Sequence, residues 1–482
     1  MNFIKKVSDE IKRESLADID EEDEKDKIET KEDKERRKKA EKYVMSSYNN
    51  FLFHYKNGSE AYKKDVKNCK KMDIHSDSRD FIWFFFLGIF SYDTPSNWKK
   101  ILAEKRSNYD KLKKELITKD INDFVETKKI KDKYSLYFKF KEILSKEDYS
   151  TLDIIKIDVN RTFQTIDLFH LDKIQKILII NLFIFAKKNK DIGYRQGMSD
   201  LCAVFLYVLY KEQVLKPAFI VDKETFTYFL FHSNNSFLEH DTYLMFSTFM
   251  LKGFSEFFKY SDEIYSNGDL AKLDNEQCKV LTKDEIINAN DSELKKRIFL
   301  IYYDKLPLVD KNLYKFMSDK TDPDIFMLKW FICLFTREFP INKLVHLWDL
   351  ILLYELLNNE NSNIKNANNE MKQNKKIDNK ATINNNNNNI NNINIIKENG
   401  NSDNIKNEII NQEENKINFE KKYMFIDYII LSMILKIKST ILQKKNSSQL
   451  IGFLMKYPQD IYVEDICLKA LDIFNKLNPN FK

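Results

Sequence analysis

Apolar residues recur at intervals of three and four positions along most of this 482-residue chain. The spacing is clear in one segment, where Ile174, Ile177, Leu178, Leu182 and Phe185 fall on one helical face. Further helical patterns run through residues 201–210, 223–260, 298–303, 311–317, 325–335, 343–357, 423–441 and 448–457. Sustained alternation of apolar and polar residues, the pattern of a half-buried strand, is missing. The pattern therefore predicts an all-α fold.

Polar segments interrupt these patterns at three places. Residues 8–43 form a mixed-charge run with few apolar anchors, typical of a disordered segment or a solvated helix. Residues 262–293 predict a long polar loop. Residues 358–420 hold an asparagine-rich tract and predict a disordered insert. Because the entropy of loop closure grows slowly with length, we expect the helical patterns on either side of this insert to pack together.

Composition excludes several classes of protein. The chain has 8 glycines, where an average usage of about 7% would give roughly 34. So few glycines fit badly with β-sandwiches, Rossmann turns or glycine-rich phosphate loops. The net charge of +5, from 79 basic and 74 acidic residues, gives no indication of nucleic-acid binding. The 5 cysteines are scattered and the 6 histidines have no metal-ligand spacing, so we expect a reducing compartment and no metal site.

No segment predicts a membrane span. The longest apolar runs, at 81–90, 177–186 and 201–210, are about half of the roughly 20 residues that a span needs. The first residues lack the apolar stretch of a signal peptide. We therefore expect a soluble, cytoplasmic protein whose membrane contact is only indirect.

The first candidate motif ends in an arginine. In Ile155-Lys-Ile-Asp158-Val-Asn-Arg161 the aspartate lies three positions before the arginine, on the same helical face. A carboxylate there is placed to hold the guanidinium in one rotamer. The alternative is an ordinary surface ion pair, worth about a few tenths of a kcal/mol.

The second candidate motif centres on Gln196. Gly193 and Gly197 bracket it, so the backbone is able to bend tightly and project the side chain. Tyr194 offers a hydroxyl as a hydrogen-bond donor. Arg195 is interpreted as a solvated side chain, and the less favoured alternative is a contact with a phosphate or an acidic group of a partner. The alternative for Gln196 is an ordinary turn residue.

These two motifs and several others resemble, in order, the TBC domain of GTPase-activating proteins for Rab GTPases. The matching stretches are Arg79-x-x-x-Trp83, Ile155-x-x-Asp158-x-x-Arg161, Tyr194-x-Gln196-Gly197-Met198, Phe326-x-x-Lys329-Trp330, Leu334-Phe335-x-Arg337-Glu338-Phe339-Pro340 and Leu347-Trp348-Asp349. The matches span roughly 79–350, and each is weak by itself. The segment Phe237-Leu-Glu-His-Asp-x-Tyr243 resembles most the subfamily whose animal member associates with retromer on endosomes.

The resemblance implies a function and a division of labour. Arg161 would neutralise charge on the transferring phosphoryl group, and Gln196 would orient the attacking water, with Asp158, Tyr194 and Gly197 in support. GTP and Mg²⁺ would be carried by a Rab-family partner, since this chain lacks a G-x-x-x-x-G-K-[ST] motif and any cofactor site of its own. A retromer-like endosomal coat would be a further partner, and peripheral endosomal membranes a location.

The resemblance also implies a division of the chain into lobes. We expect an N-terminal lobe with both fingers at 70–262, a C-terminal lobe that begins at 298–357, and closing helices at 421–482. Composition predicts the segments between and before them: a charged, disordered segment at 1–50, a polar insert at 263–297 and the asparagine-rich insert at 358–420.

Some residues of the motifs depart from the family pattern or are assigned to architecture. Gln164, Lys329 and Asp80 stand where proline, arginine and a small residue are usual, which bears on partner choice. We predict a cation–π pair between Arg79 and Trp83, and an ion pair between Arg337 and Asp349. Ser199 or Asp200 is predicted to cap the helix that follows.

Two other classes of function remain open at this point. A TBC scaffold would bind a Rab or an endosomal coat complex without accelerating hydrolysis; the presence of both Arg161 and Gln196 favours the catalytic activator. An unrelated helical adaptor would match by chance, which the order and number of motifs disfavour.

Overall fold

The computed structural model describes Glu35, Ser46 and residues 48–74, 78–126, 143–213, 235–259, 293–360 and 422–481. Over these residues the chain forms helices and turns with no strand, so the predicted all-α class is confirmed. Most of the charged N-terminal segment, nearly all of the 263–297 insert and most of the asparagine-rich insert lie outside the described residues.

The helices of the first part are α1 (48–56), α2 (Gly58–Lys70), α3 (Arg79–Phe86), α4 (Trp98–Leu116), α5 (Lys119–Glu126), α6 (Lys146–Arg161), α7 (Asp172–Lys188), α8 (Met198–Gln213), α9 (Leu238–Phe249) and α10 (Ser255–Lys259). Those of the second part are α11 (Glu293–Phe299), α12 (Leu306–Val309), α13 (Lys311–Ser318), α14 (Asp324–Ile332), α15 (341–360), α16 (Phe425–Lys436), α17 (Lys438–Leu442), α18 (Ser447–Leu454) and α19 (Val463–Leu477). Short 3₁₀ and π turns connect some of them.

Helix α6 has clear start and stop signals. Ser145 accepts a hydrogen bond from the backbone N–H of Asp148, 3.1 Å away, and so caps the first turn. Glu147 and Asp148 place negative charge at this positive end. The helix ends at Arg161, whose positive charge suits the negative C-terminal end. The inner face of α6 packs on α7 and α8.

The core is rich in aromatic rings that come from distant parts of the sequence. Trp83 of α3 stacks on Trp348 of α15 with ring centroids 6.0 Å apart. Phe205 of α8 meets both indoles edge-on, and Phe249 stacks on Trp348 at 5.7 Å. Each of these rings is buried. The cluster therefore joins the beginning, middle and second part of the chain in one core.

A buried carboxylate links the first described helices to the second part. Asp349 accepts hydrogen bonds from Arg79 Nε at 3.0 Å and from Trp83 Nε1 at 2.7 Å. The structure thus gives Arg79 and Trp83 a shared acceptor, and the cation–π pair between them stays a prediction. Arg337 pairs with Asp200, so the predicted Arg337–Asp349 pair is wrong. Asp349 is already surrounded by donors from α3.

The helices on either side of the asparagine-rich insert pack together, as predicted. Tyr354 stacks on Phe425 with ring centroids 4.2 Å apart, and Glu355 accepts the backbone N–H of Tyr423 at 2.6 Å. Helix α15 continues to residue 360, three residues into the segment predicted as insert, and Glu360 accepts a hydrogen bond from Tyr62. None of the helices given above combines the length and apolar character that crossing a membrane requires.

Candidate functional site

Arg161 is the last residue of α6, and its side chain reaches solvent. Its Nη2 atom lies 2.6 Å from Asp158 Oδ1, and the arginine side chain is 45% exposed while the aspartate is 4% exposed. The ion pair predicted between these two residues is therefore present. It holds one nitrogen of a guanidinium whose side chain is nearly half exposed.

Asp158 also accepts a hydrogen bond from the second motif. Tyr194 donates its hydroxyl to Asp158 Oδ2 at 2.8 Å. Burial, the charge of Asp158 and this hydrogen bond together raise the pKa of the Tyr194 phenol well above its ordinary value. The tyrosine therefore stays a hydrogen-bond donor. One buried aspartate joins two motifs that lie 36 positions apart.

A second bond joins the same two segments. Thr162, next to Arg161, donates its hydroxyl to Ser199 Oγ at 3.0 Å, and both residues are buried. Ser199 and Asp200 lie inside the first turn of α8, which begins at Met198. The helix therefore begins before either residue, and the predicted capping role is wrong. Ser199 contacts Thr162 instead, and Asp200 pairs with Arg337.

Gln196 occupies a turn between these two bonds. Gly193 and Gly197 have φ values of 63° and 103°, a backbone region that side-chain-bearing residues rarely adopt. This agrees with the tight turn that the two glycines predict. The Gln196 side chain is exposed, as is that of Arg161. The structure brings the two motifs together, although Gln196 is not among the residues that line the adjoining cavity.

Arg195 differs from its interpretation as a solvated side chain. It is half-buried, and its Nη1 atom donates to the carbonyl oxygen of Tyr194 at 3.3 Å. The same atom would lie 3.2 Å from a Cβ added at Gly193. The arginine therefore folds back over its own turn.

A cavity of about 260 Å³ opens beside Arg161, and its other lining residues were not predicted for this site. They are Phe163, Asp200, Thr336 and Arg337. Arg337 Nε lies 3.2 Å from Asp200 Oδ2. Burial raises the pKa of the Asp200 carboxyl, although the positive charge of Arg337 and its hydrogen bond act in the opposite direction. No short-range sequence signal places Arg337 here, since Asp200 is 137 positions away.

The segment 237–243 serves internal packing. Asp241 is fully buried and accepts hydrogen bonds from Arg106 Nε and Nη2 at 2.9 and 2.7 Å. Glu239 accepts from Tyr109 and Lys113 on the same helix, α4. These charged residues bind α9 to α4, so they support the local fold and offer no evidence for a coat-binding surface. Among the described residues, no group of three metal-ligating side chains is found.

Comparison with known proteins identifies the class to which this fold and these motifs belong. The Rab-GTPase-TBC domain family matches residues 76–267 and 278–376, more than half of the chain. This chain is a member of that family. The predicted family resemblance is therefore confirmed.

Individual relatives are distant and longer. The chain is 27% identical to TBC1 domain family member 5 of Mus musculus over 292 residues, covering 57% of this chain and 33% of that protein. It is 26% identical to GTPase-activating protein GYP1 of Saccharomyces cerevisiae, covering 60% of this chain and 39% of that protein. The matches thus span well under half of either relative.

A solved structure agrees with the fold. The crystal structure of the Ypt/Rab-GAP domain of Gyp1p matches with a TM-score of 0.50, covering 92% of this chain and 98% of that one. The sequence identity in this match is 14%, so it bears on the fold alone.

Proposed function

We propose that this chain is a GTPase-activating protein that accelerates GTP hydrolysis by a Rab-family GTPase. Arg161 and Gln196 would be supplied in trans to the nucleotide that the partner carries. Membership of the Rab-GTPase-TBC family supports this function. The observation that carries the site is the bonding of both motifs to one buried carboxylate, Asp158.

The arginine contributes positive charge where negative charge develops. Asp158 holds one edge of the guanidinium, so Nε and the second terminal nitrogen are left to meet oxygens of the transferring phosphoryl group. A guanidinium fixed in advance loses less rotamer freedom when the partner binds. Such preorganisation lowers the free energy that is needed to reach the transition state.

The glutamine contributes orientation of the attacking water. Its amide offers both a donor and an acceptor, which is what positioning a water against a phosphorus atom requires. The tight turn at Gly193–Gly197 and the Tyr194–Asp158 bond fix the backbone from which the side chain projects. GTP and Mg²⁺ enter the site only with the GTPase.

A non-catalytic TBC scaffold is the competing proposal. It would bind a Rab or a retromer-like endosomal coat and leave hydrolysis unchanged. The coat partner and an endosomal location rest on the sequence resemblance and on the likeness to TBC1 domain family member 5. A pull-down of coat subunits by the full chain tests them separately from hydrolysis.

Single-turnover GTP hydrolysis by a panel of purified Rab GTPases tests the activator function. The full chain is expected to accelerate hydrolysis by at least one Rab well above its intrinsic rate. Rab binding with an unchanged rate across the panel would favour the scaffold. The same titrations give the Rab preference of the chain.

A further inference from the structure

The cavity beside Arg161 holds a second guanidinium. Arg161 and Arg337 both line it, together with Phe163, Asp200 and Thr336. Arg161 belongs to the first part of the domain and Arg337 to the turn between α14 and α15. The cavity therefore lies where the two parts of the chain meet.

The two arginines are held in the same way. Arg161 Nη2 lies 2.6 Å from Asp158 Oδ1, and Arg337 Nε lies 3.2 Å from Asp200 Oδ2. Both aspartates are buried, whereas the arginine side chains are 45% and 40% exposed. Each guanidinium is thus bound to an aspartate through one nitrogen, and a large part of each side chain remains exposed to solvent.

The open atoms of Arg337 suit an oxyanion. Within the described residues, Nε is the guanidinium atom of Arg337 with a hydrogen-bond partner, and that partner is Asp200. Its two terminal amino groups have no acceptor among these residues, and Arg337 lines the cavity, so these groups keep donors for a ligand there. The planar fork of a guanidinium matches two oxygens of a carboxylate or a phosphate.

Backbone strain marks the segments around this cavity. Phe163, which follows Arg161 and Thr162, has a φ of 42°, and Leu334 and Phe335, just before Thr336, have φ values of 45° and 65°. Bulky residues in this backbone region are strained and persist where the surroundings impose them, often at functional sites. The strained residues follow Arg161 and precede Arg337, so both arginines lie next to backbone whose course the surroundings impose.

One hydrogen bond links the segment after Arg161 to the segment that holds Arg337. The Thr162 hydroxyl lies 3.0 Å from Ser199 Oγ, and Ser199 directly precedes Asp200, the partner of Arg337. Thr162 directly follows Arg161. A ligand that moved either guanidinium would therefore act on the same small set of buried groups.

We propose that Arg337 is a second oxyanion-binding residue of this site. It binds an oxyanion of the GTPase–nucleotide complex next to the one that meets Arg161. The inference rests on the proposed function, because it assigns Arg337 to the same docked partner. The oxyanion is either an acidic side chain of the GTPase or a phosphate oxygen of the nucleotide.

Rate measurements with Arg337→Gln test the inference. Single-turnover hydrolysis is followed over a range of concentrations of the full chain, giving a maximum rate and a half-saturating concentration. Loss of a charge-assisted hydrogen bond should lower their ratio about tenfold to hundredfold. A raised half-saturating concentration at an unchanged maximum rate identifies a protein carboxylate, and a lowered maximum rate identifies a phosphate oxygen.

Two further variants separate oxyanion binding from a structural role. Asp200→Asn removes the internal anchor and keeps the Arg337 guanidinium, so its loss should be smaller than that of Arg337→Gln. Lys343→Gln removes a positive charge from a surface ion pair with Glu464 and should match wild type. Thermal melting of all three variants reports on folding.

Two results would overturn the inference. One is a wild-type ratio for Arg337→Gln. The other is an equal loss of rate and of melting temperature in Arg337→Gln and Asp200→Asn, since the ion pair would then be structural only. Failure of the wild-type chain to stimulate any Rab would instead remove the proposed function, so the two failures are distinguishable.

Discussion

At the scale of single residues, Asp158 is the junction of the candidate site. It accepts from Arg161 of one motif and Tyr194 of the other, and it is buried. Removing one partner of a buried carboxylate leaves a charge that is costly without compensation. Because Tyr194 still donates when Arg161 is removed, a change at Arg161 leaves this carboxylate partly satisfied. The arginine is therefore open to mutation without loss of the fold.

Arg161→Ala is expected to lower the stimulated rate of GTP hydrolysis by about 10³–10⁵-fold, the usual contribution of an arginine finger. Arg161→Lys is expected to fail as well, because an ammonium lacks the planar fork that spans two oxygens. Single-turnover hydrolysis measures the rate, and thermal melting should show a fold close to wild type. A fully active Arg161→Ala protein would remove this residue from the mechanism.

Gln196→Ala should lower the stimulated rate nearly as far, because both fingers act on one transition state and such effects are not additive. A Rab whose own catalytic glutamine is changed to leucine should still respond to the wild-type chain, since Gln196 replaces that group. The combination of this Rab with Gln196→Ala should stay at the intrinsic rate. Stimulation in that combination would mean that another group positions the water.

The sequence identifies some of these residues and not others. Asp158 and Arg161 lie three positions apart on one helix, so periodicity alone places them together. The bond from Tyr194 to Asp158 and that from Thr162 to Ser199 depend on how α6 packs on α8, which spacing does not encode. The pairing of Arg337 with Asp200 likewise depends on helix packing. Asp349, the other candidate, accepts hydrogen bonds from α3 instead.

At the scale of elements, the helical pattern predicts the helices well and their ends less well. Helix α15 was predicted over 343–357 and runs over 341–360. Its last turn looks polar in the sequence, yet Asn358 is buried and Glu360 accepts a hydrogen bond from Tyr62. This turn contacts a tertiary partner 298 positions away, and no local pattern predicts that contact.

Replacing residues 361–420 with a Gly/Ser linker of roughly 12 residues, which spans about 20 Å, should leave the melting temperature nearly unchanged. Replacing 358–420 with the same linker should lower it, because that change also removes buried Asn358 and the Glu360 acceptor of Tyr62. Circular dichroism melting of the two proteins gives the comparison. A large drop in the first protein would show that the insert itself packs on the domain.

At the scale of the whole molecule, three buried arginine–aspartate pairs among the described residues connect distant parts of the chain. They are Arg79–Asp349, Arg106–Asp241 and Arg297–Asp427. Each spans 130 positions or more. A buried pair of this kind adds little stability over apolar residues, but breaking it is costly. The pairs thus favour one arrangement of helices over others.

Asp349→Ala should lower the free energy of unfolding by about 3–5 kcal/mol, because it leaves the Arg79 guanidinium buried without its carboxylate. The Trp83 indole N–H loses its acceptor at the same time. Asp472→Ala, which removes a carboxylate between the surface lysines Lys469 and Lys476, should change it by no more than about 0.5 kcal/mol. Chemical denaturation measures both. Equal effects would contradict the role given to the buried pair.

The link from Arg79 and Trp83 to Asp349 has a consequence for the chain during its synthesis. The two ends are 270 positions apart, so at about 5–20 residues per second the carboxylate follows its donors by roughly 14 to 54 seconds. Over that time α3 exists without the acceptor that its buried polar groups need. Protease digestion of ribosome-stalled chains should find the first part protected only after residue 349 has emerged; earlier protection would mean that it folds alone. Until residue 349 emerges, we expect the nascent first part to expose apolar surface of the kind that chaperones bind.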